Sequence, residues 1–220
     1  MSAPDVARLL PEPDRLREHC LALAVLEAIL CPEEDFRYHA FDAAWGPGEQ
    51  LASMRNGSGD EHSVVFTPAG VYLRGFDHES YLSPYAEGRV WPGVVDSVPA
   101  ELRHCVTEPA FCDDGVPTLT AAIWRLTGDT AYRTGEIDFP PGLPDADGAD
   151  WLFRSLTDTA PEAYAEFASD YYGTEVDLDA VRHVFALRPL TEEVVRTLNP
   201  ELTLDELAED IKETGYPTGD

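Results

Sequence analysis

The segment VVFTPAGVYLRGF, residues 64–76, constrains the fold more than any other stretch of the chain. Two apolar runs, 64–66 and 71–76, flank Thr67-Pro68-Ala69-Gly70. The fixed φ of proline suits the first central position of a tight turn, and Gly70 tolerates the positive φ that follows it. Together these features predict a β-hairpin. Its strands must pair antiparallel, so residues equidistant from the turn face one another. His62 is therefore expected beside Phe76 or Asp77. Asp60, Glu61, His62, Asp77, His78 and Glu79 are expected to meet at one end of the hairpin.

The neighbouring segments extend this framework. Leu16, Cys20, Leu23, Leu26, Ile29 and Leu30 recur at three and four residues, the period of an amphipathic helix, between Pro13 and Pro32. Residues 36–40 alternate like a strand, Trp45-Gly46-Pro47-Gly48 reads as a turn, and residues 50–55 give a second strand. Residues 81–99 read as an ordered loop and 99–106 as one or two helical turns. Residues 116–126, a turn at 127–130 and residues 131–137 predict a further hairpin on the same sheet. The stretch 139–148 carries three prolines and breaks both periods, as a linker would. Beyond it, helices are expected over 149–156, 161–172 and 191–198. Residues 178–187 fit helix or strand. A further helix should open on the capping-box pattern of Thr203 and Glu206. The expected class is α+β: an antiparallel meander sheet covered by an N-terminal helix, with a mostly helical C-terminal segment. Residues 1–138 hold the sheet and 149–220 the helical segment, packed on one core as a single domain.

Charge narrows the range of partners. Forty-two Asp and Glu face fifteen Lys and Arg, a formal net charge of −27. The acid is spread along the chain rather than gathered in a tail. Such a field repels phosphate, so nucleic acid is not an expected partner, whereas a basic protein is. A hydrophobic fraction of 44% argues for a packed globule rather than a disordered acidic chain. No apolar run approaches the ~18 residues that would suggest a membrane span. The N-terminal MSAPDVARLLPEPD has no apolar stretch of the signal-peptide kind, so a cytoplasmic setting is expected. There Cys20, Cys31, Cys105 and Cys112, which lack zinc-site spacing, should be free thiols.

No motif diagnoses a reaction. The glycine-rich Asn56-Gly57-Ser58-Gly59 lacks the lysine and helix of a phosphate loop and runs into two acids. Ser58 and Ser80 lack a nucleophile-elbow context, and Cys105 follows His104 too closely for the pair to face each other. No cofactor is expected. The leading reading is a non-enzymatic acidic binding protein whose contact surface includes Asp60, Glu61, Asp77, Glu79, Tyr81 and Trp91. Aromatic side chains on irregular loops suit interface anchors. The alternative is a metal-assisted hydrolase with His62, Asp77, His78 and Glu79 as donors, although no diagnostic ligand spacing is present.

The strings MRNGSGDEHSVVFTPAGVYLRGFDHES and WPGVVDSVP resemble those of a family of uncharacterised soluble bacterial proteins, especially from actinobacteria. The C-terminal RPLTEEVVRTLNPELTLDELAEDIKETGYP is compatible with the same group. This resemblance covers much of the chain and implies no activity and no site residue. In size and acidity the chain is also similar in general character to immunity proteins of bacterial toxin systems, which implies recognition of a basic protein partner.

Overall fold

A computed structural model describes residues 1–143 and 145–218. Six strands form one antiparallel meander sheet. β1 (His39–Gly46), β2 (Glu49–Arg55), β3 (Glu61–Thr67) and β4 (Gly70–Phe76) follow in order. The two-residue strands β5 (Cys112–Asp113) and β6 (Val116–Pro117) pair only with each other. β7 (Ala121–Leu126) adds to β4, and β8 (Arg133–Thr134) closes the sheet beyond it.

The predicted hairpin is present, with Thr67 opposite Gly70 and Val64 opposite Leu73. The Thr67 hydroxyl accepts hydrogen bonds from the N–H groups of Ala69 and Gly70, each at 3.1 Å, which locks the turn. β4 is buried along its whole length. Its side chains alternate, so Val71 and Leu73 enter one core while Tyr72 enters another on the opposite face. A near-continuous apolar run is what a strand covered on both faces requires.

One face is covered by helices. After the short α1 (Ala3–Val6), α2 (Pro13–Leu30) packs on β1 and β2. The amphipathic expectation understates its burial: every residue from His19 to Ile29 is buried. The outer side of α2 is covered by helices from the C-terminal part, namely α8 (Leu178–Phe185), α9 (Glu192–Leu198) and α10 (Ala208–Thr214). α7 (Pro161–Tyr172) packs on α8. One apolar cluster runs through all of these, from Ala3 to Tyr216.

The other face is covered mainly by irregular chain between β4 and β7. That layer includes α3 (Pro84–Glu87) and α4 (Arg103–Val106), and it buries Leu82, Val94, Val98, Leu102 and Phe111 on Tyr72 and Trp124. All four cysteines are free. Burial pushes the Cys20 and Cys105 thiols up to about 12, which keeps both protonated and inert.

Some boundaries differ from the sequence expectation. Residues 34–36 form a 3₁₀ turn, and the first strand starts at His39 instead of residue 36. The reason lies in two side chains. Arg37 donates to the carbonyls of Cys31 and Pro32, and the Tyr38 N–H donates to the Glu27 carboxylate at 2.8 Å, so this segment is tied to the end of α2. The expected strand over 116–126 is interrupted because the N–H groups of Thr118 and Thr120 go to the carbonyls of Phe111 and Gly75. Residues 149–156 form two single turns, α5 (Ala149–Leu152) and α6 (Arg154–Thr157), which meet at Phe153. This double turn rests on the hairpin: a Cβ on Gly75 would lie 2.9 Å from the Phe153 ring. Segment 178–187, open between helix and strand in sequence, is helical to Phe185. Its start is capped by Asp177, whose carboxylate accepts from the Ala180 N–H at 2.8 Å.

Candidate functional site

The hairpin end does gather polar side chains, but His62 is not among them. The register places Glu61 opposite Phe76 and His62 opposite Gly75. His62 thus points to the helical face, is buried, and donates from Nδ1 to the Leu152 carbonyl at 2.6 Å. Burial first, and the nearby His39 second, push its imidazole down to about 3, so the ring is neutral.

Asp60 is the organiser of the cluster. Its carboxylate accepts from the His78 N–H at 2.9 Å, from His78 Nδ1 at 2.6 Å and from the Asn56 amide at 2.7 Å. Burial raises its pKa, but these bonds outweigh burial and hold the carboxyl below its ordinary range. The bond to Asp60 raises the His78 imidazole in turn. Asp77 accepts from the Glu79 N–H at 2.9 Å and from the Trp151 indole at 3.1 Å. Donor atoms of Asp60, Asp77 and His78 lie within 4.8 Å of one another. The four metal donors expected from sequence are therefore not assembled as a set. Asp77 and His78 come together with Asp60, Glu79 stands exposed outside the group, and His62 is buried under α5, bonded to the Leu152 carbonyl.

The six expected contact residues divide into two kinds. Asp60, Glu61 and Asp77 are occupied internally. Glu61 bonds the guanidinium of Arg74 at 2.8 Å, and Arg74 is only 2% exposed, with Ser63 and Thr118 as further partners and the Phe111 ring 4.9 Å away. Glu79 and Tyr81 face outward, and Trp91 is half-buried beneath Tyr81, with ring centroids 5.6 Å apart. Tyr85, which is not among the six expected contact residues, is 61% exposed and stands edge-on to Phe76. Burial and a bond to Asp113 raise its hydroxyl pKa. Tyr81, Tyr85 and Asp113 thus expose aromatic and acidic area on the loop-covered face, and Glu79 is exposed two residues before Tyr81.

The helical face holds a second arrangement. A cavity of about 440 Å³ opens between α2, the start of β1, α6 and α7, with His19, His39 and Ser155 in its lining. Ser155 Oγ lies 3.2 Å from His39 Nε2, and His39 Nδ1 lies 3.7 Å from the fully buried Glu27 carboxylate. Glu27 also accepts from the Tyr164 hydroxyl at 2.9 Å, the Tyr172 hydroxyl at 2.5 Å and the Tyr38 N–H. Burial raises its pKa, but the bonds prevail and the carboxyl sits below its ordinary range. Spacing gives no hint of this set, since 116 residues separate His39 from Ser155. One signal was available: Glu27 interrupts LALAVLEAIL on a helix face that reads as apolar, and a buried acid needs partners. No family model, no curated protein and no solved structure matches this chain.

Proposed function

We propose that the chain is an acidic binding protein that recognises a basic protein partner, as immunity-type or accessory proteins do. The carrying observation is that Tyr81 and Tyr85 are 58% and 61% exposed, Tyr85 in a bond with the exposed Asp113, on a protein of net charge −27. Tyrosine offers a large amphipathic contact area at low cost in side-chain entropy. Surrounding acid steers a cationic partner and selects against anionic ones. Asp60, Glu61 and Asp77 serve this surface indirectly by holding the hairpin end and the loop after β4. Glu79, Tyr81, Tyr85 and Asp113 make the contact, with Trp91 as the support under Tyr81.

The test is capture from a lysate of the organism that makes the protein, at low and at high salt, with wild type and a Tyr81→Ala, Tyr85→Ala, Glu79→Lys triple variant. The expected result is a basic protein retained by wild type at low salt, released at high salt, and held at least ~10-fold more weakly by the variant. Equal retention by wild type and variant, or no salt-sensitive basic partner, would overturn the reading.

A further inference from the structure

Three side chains from three separate elements meet at the cavity on the helical face: Ser155 and His39 line it, and Glu27 lies buried behind His39. Ser155 is on α6, His39 opens β1, and Glu27 lies in the last two turns of α2. The serine hydroxyl is within hydrogen-bond reach of His39 Nε2, at 3.2 Å. The other ring nitrogen, Nδ1, is buried with no hydrogen-bond partner among the described residues, and the Glu27 carboxylate lies 3.7 Å from it. A proton on Nδ1 therefore faces an anion, which leaves Nε2 free to accept the serine proton. This is the tautomer a general base requires. Glu27 is held in turn by two tyrosine hydroxyls and the Tyr38 N–H.

The segment that carries Ser155 is fastened on both sides. His19 Nε2 bonds the carbonyl of Ser155 itself at 2.7 Å, and His62 bonds that of Leu152 at 2.6 Å. Two buried imidazoles thus serve as N–H donors that fix the serine's backbone, while the third faces its hydroxyl. A purely structural role would not require the serine to border an open cavity, yet Ser155 is half-buried and lines one.

We propose that Ser155, His39 and Glu27 form a nucleophile, a base and a positioning carboxylate that hydrolyse small uncharged carboxylic esters in this cavity. The walls include the aromatic rings of Tyr38, Trp151, Tyr164 and Phe167, which suit an apolar or aromatic substrate group. Exposed Asp158, Glu166 and Asp170 border the opening and disfavour anionic substrates. Ser155 Oγ bonds to the ester carbonyl carbon as His39 Nε2 takes the hydroxyl proton. The bond to the alcohol oxygen then breaks, and the alcohol leaves with that proton, so that Ser155 carries the acyl group. Water adds to the same carbon, gives a proton to His39, and the carboxylic acid departs as the serine is restored. Glu27 touches no substrate and acts through the orientation and charge of His39. This activity does not depend on the proposed partner surface, whose tyrosines belong to the loop-covered face.

Two probes test it on the full chain: a fluorophosphonate with the labelled residue identified by mass spectrometry, and hydrolysis of p-nitrophenyl butyrate. Label on Ser155, or turnover that falls at least ~100-fold in Ser155→Ala with unchanged melting, supports the proposal. In a folded Glu27→Gln variant, kcat should fall at least ~10-fold with KM within about two-fold, a split that loosened packing alone would not give. Neither label on Ser155 nor turnover in wild type, or turnover undiminished in Ser155→Ala, would overturn it.

Discussion

His62 shows how one buried side chain sets a pH dependence. Its imidazole is neutral in the folded protein, pushed down to about 3, whereas the unfolded chain takes up a proton near 6.5. Because the folded value is the lower one, stability is full above 6.5 and is lost as pH falls toward 3. One such group removes about 2 kcal/mol between pH ~7 and ~5. Asp147 runs the other way. Burial lifts its carboxyl to about 6, against bonds from the N–H groups of Ala3 and Ala149, so the folded protein keeps a proton that the unfolded chain releases near 3.8. Stability is gained there as pH falls through 6. The two effects oppose each other, so the wild-type profile alone does not isolate either. The difference between wild type and His62→Gln does, since a glutamine amide can still donate to the Leu152 carbonyl. Urea unfolding should show the variant losing about 2 kcal/mol less than wild type between pH ~7 and ~5. Parallel pH dependence in the two proteins would mean that His62 is not held neutral by burial.

At the scale of elements, the junction of the hairpin with β7 is decided at Gly70. A Cβ there would overlap the Arg125 carbonyl oxygen and lie 2.8 Å from Leu126 Cα, and backbone atoms cannot rotate aside. Gly57, in the loop before β3, also has a positive φ, at 73°, but among the described residues nothing lies within 4 Å of an added Cβ. Gly57→Ala should cost about 1 kcal/mol, the price of left-handed backbone alone, and Gly70→Ala at least about 3 kcal/mol. Thermal melting of the pair distinguishes the terms, and equal shifts would mean that β7 moves away without loss. Gly70 was legible in sequence as a turn residue, whereas its closer constraint comes from a strand some fifty residues later. The same limit runs through the molecule. The meander, α2 and most C-terminal helices follow from periodicity and turn chemistry, which are local. The start of β1 does not, because Tyr38 bonds a carboxylate on α2. At the hairpin end, antiparallel geometry brings Asp60 to His78, while His62 pairs with Gly75, one or two positions from the expected partner, and is buried against the Leu152 carbonyl instead of joining the cluster. Ser155 and His39 meet only after the sheet, α2 and the α5–α6 turn have packed together, and no pattern along the chain encodes that meeting.

Across the whole molecule, the charge of −27 affects folding and recognition in opposite directions. Forty-two acids on a compact chain repel one another, and salt screens that repulsion over about 10 Å at ~0.1 M. Folding should therefore strengthen with salt. Relief of 1–2 kcal/mol, taken as an order of magnitude, raises Tm by roughly 4 °C for a chain of this length. Several ion pairs oppose the trend: Arg74 with Glu61, Arg125 with Glu12 and Arg37 with Asp210 all weaken as salt rises. The first is the best shielded, since Arg74 is almost fully buried. Exposed pairs such as Arg182 with Glu162 contribute little at any salt. Self-repulsion should therefore prevail, and Tm should climb between ~20 mM and ~500 mM sodium chloride. Association with a basic partner must do the reverse over the same range, by about ten-fold or more, because there the screened interaction is attractive. Acidity that reflects composition alone predicts the rise in Tm without any salt-sensitive association, whereas acidity used in recognition predicts both. Melting and binding measured in the same buffers separate the two, and a Tm that falls with salt would show that the ion pairs, rather than the net charge, govern folding.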